Sequence, residues 1–169
     1  MRQSGFVEEI HTTTVINTPA FMVWNIIADF PKYPEWNPFI LKISGELKIN
    51  SKLEMEMKLA NEKVVHGEFV VVDAETEREI AWGGKNGGNL FGVEHRLAIQ
   101  PLAHNRVTFL QTARFGGDIV SLVARNLHPL LTKQIESMNA ALKQRAEESW
   151  KEGPLPGGGS SISGSGGGG

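Results

Sequence analysis

The stretch Asp29-Phe30-Pro31-Lys32-Tyr33-Pro34-Glu35-Trp36-Asn37-Pro38-Phe39 constrains this chain more than any other. Prolines 31, 34 and 38 bar a continuous helix, because each removes a backbone donor and fixes φ. The same residues carry four large aromatic rings, Phe30, Tyr33, Trp36 and Phe39, which are costly to leave in water. A loop this stiff and this aromatic has to fold back onto an apolar surface. It is then either a structural plug or the rim of a cavity.

The surface it covers is built mostly of strands. Residues 6–16 are rich in β-branched types and read as a first strand. Thr18-Pro19 places a capping residue before a proline at the first helical position, which predicts a short helix over 19–29 with Phe21, Trp24, Ile27 and Ala28 on one face. After the proline stretch, strand signals follow at 40–47 (Leu41, Ile43 and Leu47 in phase), 52–59, 63–72, 77–83, 90–100 and 106–116. In 52–59, Leu53, Met55, Met57 and Leu59 alternate with Lys52, Glu54, Glu56 and Lys58, the pattern of a strand with one wet face. Short turn-forming segments such as Asn50-Ser51 and His104-Asn105 separate the runs and imply antiparallel neighbours. Gly83-Gly84 with Gly87-Gly88 reads as a hairpin tip and a candidate gate.

From 119 to 150 the pattern is helical. One apolar stripe comprises Ile119, Val120, Leu122, Val123 and Leu127, a second Leu130, Leu131, Ile135, Met138 and Leu142. Pro129 between them either starts a new helix or kinks a continuous one. This order predicts an α+β fold: a curved six- to seven-stranded antiparallel sheet wrapped around a long C-terminal helix. One helix cannot fill such a sheet, and the geometry tends to leave a cavity between sheet, helix and proline loop. The domain is expected over 1–152. From Gly153 the chain is Gly/Ser-rich, cannot offset its own ordering entropy, and reads as a flexible linker or tag over 153–169.

The absence of cysteine excludes thiolate catalysis, disulfides and cysteine-ligated metals. A net charge of −2 with interspersed signs gives no basic surface for nucleic acid. No apolar run approaches a membrane span and no leader pattern opens the chain, so a cytoplasmic protein, monomeric or weakly homodimeric, is expected. The five histidines show no metal-ligand spacing; neither metal nor cofactor is expected.

Parity singles out polar residues among the inward positions. His95 shares a face with Phe91, Val93, Leu97 and Ile99, and Gln111 with Val107, Phe109, Ala113 and Phe115. Counting about a turn centred near 103 sets 95 opposite 111, which would aim both at one ligand group. His95 is then either a core histidine satisfied by a neighbour or a group that bonds a ligand carbonyl or transfers protons. Met55, Met57, Phe69, Trp82, Phe91, Leu97, Phe109, Phe115, Leu131, Ile135 and Met138 are the expected lining, with Trp36 and Phe39 as lid. Asn37 reads as a loop-fixing residue. His66, Glu68, Glu54, Glu56, Glu94, Arg96 and Arg114 fall on the outward parity.

Three patches carry a family resemblance: Val23-Trp24 through Asp29-Phe30 and Tyr33-Pro34-Glu35-Trp36-Asn37-Pro38-Phe39; Phe91-Gly92-Val93-Glu94-His95-Arg96-Leu97; and Arg106-Val107-Thr108 through Arg114-Phe115-Gly116-Gly117. Over residues 6–148 the chain resembles the Bet v 1-like or START-like (SRPBCC) superfamily, in particular polyketide cyclase/dehydrase-type lipid-binding proteins. The resemblance implies a helix-grip fold with an internal pocket for an apolar or amphipathic small molecule. Two functions follow from it: a carrier or sensor of a lipid, quinone or polyketide-like compound, or an aromatase/cyclase-like enzyme with His95 as acid/base in aldol closure and dehydration. A protein-interaction module is the third class.

Overall fold

A computed structural model describes residues 6–86 and 91–152. Seven strands are present: β1 (Phe6–Ile16), β2 (Ile40–Ser44), β3 (Lys52–Lys58), β4 (Val64–Glu75), β5 (Glu79–Asn86), β6 (Phe91–Ala103) and β7 (Arg106–Gly116). They form one antiparallel sheet in the order β1-β7-β6-β5-β4-β3-β2. Strands β2 to β7 are a plain meander. Only β1 is placed out of sequence, beside β7, so the helical excursion after β1 spans the whole sheet. The sheet curls into a half-barrel around α3 (Asp118–Glu152), giving the helix-grip fold.

Alternation is what makes the sheet one-sided. Leu53 and Met55 of β3, Phe69 and Val71 of β4, His95, Leu97 and Ile99 of β6, and Val107, Phe109, Gln111, Ala113 and Phe115 of β7 are all buried. Glu54, Glu68, His66 and Arg114 face outward and are exposed. Parity breaks where a strand carries an extra residue. In β2 the register shifts between Ile40 and Lys42, so Ile40 and Ile43 are buried while Leu41 is only half-buried. The in-phase set Leu41, Ile43 and Leu47 is corrected accordingly. In β4, Val65 is exposed, although the period-two pattern sets it with Phe69 and Val71.

The helical excursion also differs in detail from its sequence pattern. α1 runs over Ala20–Ile27, with Pro19 rather than Thr18 at the N-cap and no side-chain cap. Thr18 is fully buried and its hydroxyl has no partner among the described residues. Val23 and Ile27 are the buried residues of α1. Phe21, expected on the inner face, is exposed and meets Trp150 of α3 edge to face at 6.0 Å. The proline stretch does wind: a 3₁₀ turn at Phe30–Lys32 leads into α2 (Tyr33–Trp36), each with proline in its first positions, where the missing donor costs nothing. Tyr33 is buried and its hydroxyl donates to the Ile27 carbonyl at 2.6 Å, tying the loop to α1. That burial moves the phenol far above its ordinary pKa.

α3 is a single assigned helix with Pro129 inside it, so the sequence alternative of two helices is resolved in favour of one. It packs on β1, β7, β6, α1 and α2. Its own Ile135, Met138, Leu142 and Ala146 are buried. The first apolar stripe of the helix, apart from Leu127, lies outside the residues whose side chains are described, as do Gly87 and Gly88 of the hairpin tip and the segment 153–169. No helix among the described residues is long and apolar enough to cross a membrane.

Candidate functional site

Among the described residues, the buried face of the sheet is apolar except along one line. His95 on β6 and Gln111 on β7 are both buried, and His95 Nε2 lies 2.6 Å from Gln111 Oε1. The pairing is diagonal. Gln111 stands opposite Leu97, and His95 opposite Ala113, because the turn between the strands lies at His104-Asn105, beyond the counted centre at 103. The direct 95–111 pairing from symmetric counting is therefore corrected by two residues. A diagonal pair on one face stays within reach of long side chains, so the contact survives the offset.

The line continues into the helix. Gln111 Nε2 donates to Asn139 Oδ1 at 2.7 Å, and Asn139 Nδ2 donates to Thr12 Oγ1 at 2.9 Å. Thr12 in turn donates to the Gln111 backbone carbonyl at 3.3 Å. Four residues from β6, β7, α3 and β1 thus form one hydrogen-bonded chain across the sheet–helix junction. Sequence reasoning found His95 and Gln111 and missed Asn139 and Thr12. The signal for Asn139 was present: it sits at the core-facing spacing of Ile135, Met138 and Leu142. Thr12 shares the parity of Ile10 and Ile16, both buried.

Aromatic rings enclose His95. Trp82 on β5 meets it edge to face at 5.0 Å, and the Phe39 ring is 6.3 Å away. Burial lowers the imidazole pKa to about 4, only partly opposed by its bond to Gln111, so His95 is neutral at pH 7. Phe39 itself is buried beside His95 as part of the wall. Trp36 is half-buried and packs on Tyr33 at 5.1 Å, with its indole N–H buried and unpartnered among the described residues. Asn37 Oδ1 accepts from the N–H groups of Phe39 and Ile40, both at 2.9 Å, which fixes the turn out of α2. Gln134 of α3 donates to the Lys58 carbonyl at 2.5 Å and the Pro38 carbonyl at 3.3 Å, clamping helix, loop and β3 together.

The remaining expected lining residues divide cleanly. Met55, Phe69, Trp82, Leu97, Phe109, Phe115, Ile135 and Met138 are buried in the shared core. Met57 and Leu131 are half-buried and pack against it. The side chain of Phe91 lies outside the described residues. His66 is exposed, and with Lys42, Ser44, Glu54, Glu56 and Glu68 it lines an open groove of about 570 Å³ on the outer face of β2–β4, on the opposite side of the sheet from His95. Arg96 is held on that outer face by Glu94 at 2.7 Å and by Glu79, a network that raises its pKa further.

Comparison with known proteins agrees with this architecture. Residues 8–147 match the model of the family described as polyketide cyclase / dehydrase and lipid transport. The chain belongs to that family. No curated protein matches it significantly. Among solved structures, it is similar to the Zhui aromatase/cyclase from Streptomyces sp. R1128, with a TM-score of 0.71 at 14% identity over 84% of this chain and 94% of that one. A START superfamily protein from Mycobacterium smegmatis gives a TM-score of 0.67 at 20% identity, covering 83% and 97%. Norcoclaurine synthase from Thalictrum flavum gives 0.64 at 12% identity, covering 83% and 94%. At these identities the likeness establishes the fold.

Proposed function

We propose that the protein binds a small hydrophobic or amphipathic molecule, of lipid, quinone or polyketide-like type, between the inner face of the sheet and α3, as a carrier or sensor. The observation that carries this reading is a polar line, buried at His95, Gln111 and Asn139 and ending at half-buried Thr12, on a wall that among the described residues is otherwise apolar, with Phe39, Met55, Trp82, Phe109 and Met138. Such a wall supplies area for an apolar body and one point of polar recognition, the usual division of labour in small-molecule sites. The family likeness supports the same class of ligand.

The second reading is an aromatase/cyclase-like enzyme with His95 as acid/base. It is favoured by the position of His95 and by the fold it shares with the Zhui aromatase/cyclase. Two features weigh against it. An imidazole with a pKa of about 4 is a poor base at neutral pH. Its described partner is an amide, which stabilises an imidazolium less than a carboxylate does.

Native mass spectrometry of the purified protein, followed by organic extraction, tests the binding reading. A discrete lipophile at one per chain supports it. Protein that stays empty after incubation with lipids, quinones and polyketide-like phenols, yet turns over a poly-β-ketone in a His95-dependent manner, would favour the enzyme.

A further inference from the structure

The hydrogen-bonded line has a direction, and its far end sets it. The Gln111 backbone carbonyl can only accept, so Thr12 spends its one hydroxyl proton there. Thr12 Oγ1 can then only accept from Asn139, which turns Asn139 Nδ2 toward it and Oδ1 toward Gln111. Gln111 must answer that oxygen with Nε2, leaving its own Oε1 toward the histidine. A carbonyl oxygen 2.6 Å from His95 Nε2 requires a proton on Nε2. A neutral imidazole carries one N–H, so Nδ1 is a bare lone pair. Among the described residues, Nδ1 receives no hydrogen bond; the neighbours of the ring are the aromatic faces and edges of Trp82 and Phe39.

We propose that Thr12, Asn139 and Gln111 act as a one-way relay that locks His95 in the Nε2–H tautomer, so that the wall accepts and never donates at Nδ1, and the bound molecule is an apolar body carrying a hydroxyl-type donor: a phenol, an enol or an alcohol. This rests on the binding reading above and narrows its ligand class. A ligand carbonyl, the partner suggested by sequence alone, would meet lone pair against lone pair. Thr12, Asn139 and Gln111 are positioning residues; His95 is the contact.

The test has two independent arms. In the first, long-range proton–nitrogen-15 correlation NMR of the ligand-free protein at neutral pH reads the tautomer of His95, assigned by its loss in His95→Phe. The proposal expects Nε2–H in the wild type and in Thr12→Ser, which keeps the hydroxyl. Thr12→Val, which removes it with little change in shape, frees the two amides to flip and gives a mixture. In the second, naphthol and its methyl ether are titrated as a matched pair. Naphthol should bind about fivefold to tenfold more tightly, the value of one neutral hydrogen bond, and Thr12→Val should shrink that ratio while Thr12→Ser preserves it. A wild-type Nδ1–H tautomer overturns the relay and leaves interior binding standing. So does equal affinity for the two probes. If the tautomer is Nε2–H but neither probe binds at saturating concentration, the binding reading falls and takes the ligand class with it.

Discussion

His95 and Gln111 bond side chain to side chain at 2.6 Å although their backbones are offset by two positions, with Leu97 and not His95 facing Gln111. Each stands on a strand that packs on α3, and each is buried. Cutting the pair leaves unsatisfied buried groups on both sides. Gln111→Leu strands His95 Nε2–H and Asn139 Oδ1 together and is expected to destabilise the fold by about 2–3 kcal/mol. In urea denaturation, His95→Phe combined with Gln111→Leu should lose less than the two single losses added, by about 1 kcal/mol or more. Strict additivity would show that the two side chains do not interact.

The pH dependence follows from the burial of His95. Its folded pKa is lowered to about 4 against an ordinary 6.5. Between those values the unfolded chain holds the extra proton, so stability rises with pH there. The contribution is complete above about pH 6.5 and drains away as pH falls toward 4, a loss on the order of 3 kcal/mol. Denaturant midpoints for wild type and His95→Phe, measured from pH 7.5 down to about 4.5, check this. The variant should lose distinctly less stability over that range; parallel curves would place the titration elsewhere.

Pro129 sits inside α3 without a backbone N–H to return to the Arg125 carbonyl. Pro129→Ala restores that donor in a helix already continuous on both sides. It should stabilise the protein by about 1–3 kcal/mol, read as a raised thermal midpoint. A lowered midpoint would mean that the surrounding packing has adapted to the proline.

Gly84 on β5 leaves no room for a methyl group. A Cβ there would stand 2.6 Å from the Glu68 backbone carbonyl and 3.0 Å from the Phe69 ring. Backbone cannot swing aside as a side chain can. Gly84→Ala is expected to cost about 1–3 kcal/mol and to disturb Phe69. Thermal denaturation at wild-type values would show that β4 and β5 part more easily than this contact implies.

Much of the fold was legible in the sequence because period-two alternation survives wherever strands lie flat. β7 buries every residue its pattern nominates, Gln111 included, while β3 buries Leu53 and Met55 of its set and β6 buries His95, Leu97 and Ile99 of its own. Two local details defeated the rest: an extra residue at Ile40/Lys42 turned Leu41 off the core face, and a turn at His104-Asn105, not centred at 103, moved Gln111 two places from its counted partner. Thr18 looked like a helix cap but lies buried, because Pro19 took the boundary instead. Asn139 was hidden by its company: a lone amide among Ile135, Met138 and Leu142 reads as an interruption of a stripe until the strand residue that answers it is in view.

Methyl NMR of the methionines during a naphthol titration tests the central claim most directly. Met55 and Met138 are buried on the sheet side and the helix side of the interior, respectively. Binding between the sheet and α3 predicts that both methyl resonances shift together, saturating with the same dissociation constant. Saturable binding that leaves both unmoved would put the ligand elsewhere on the protein and contradict the account.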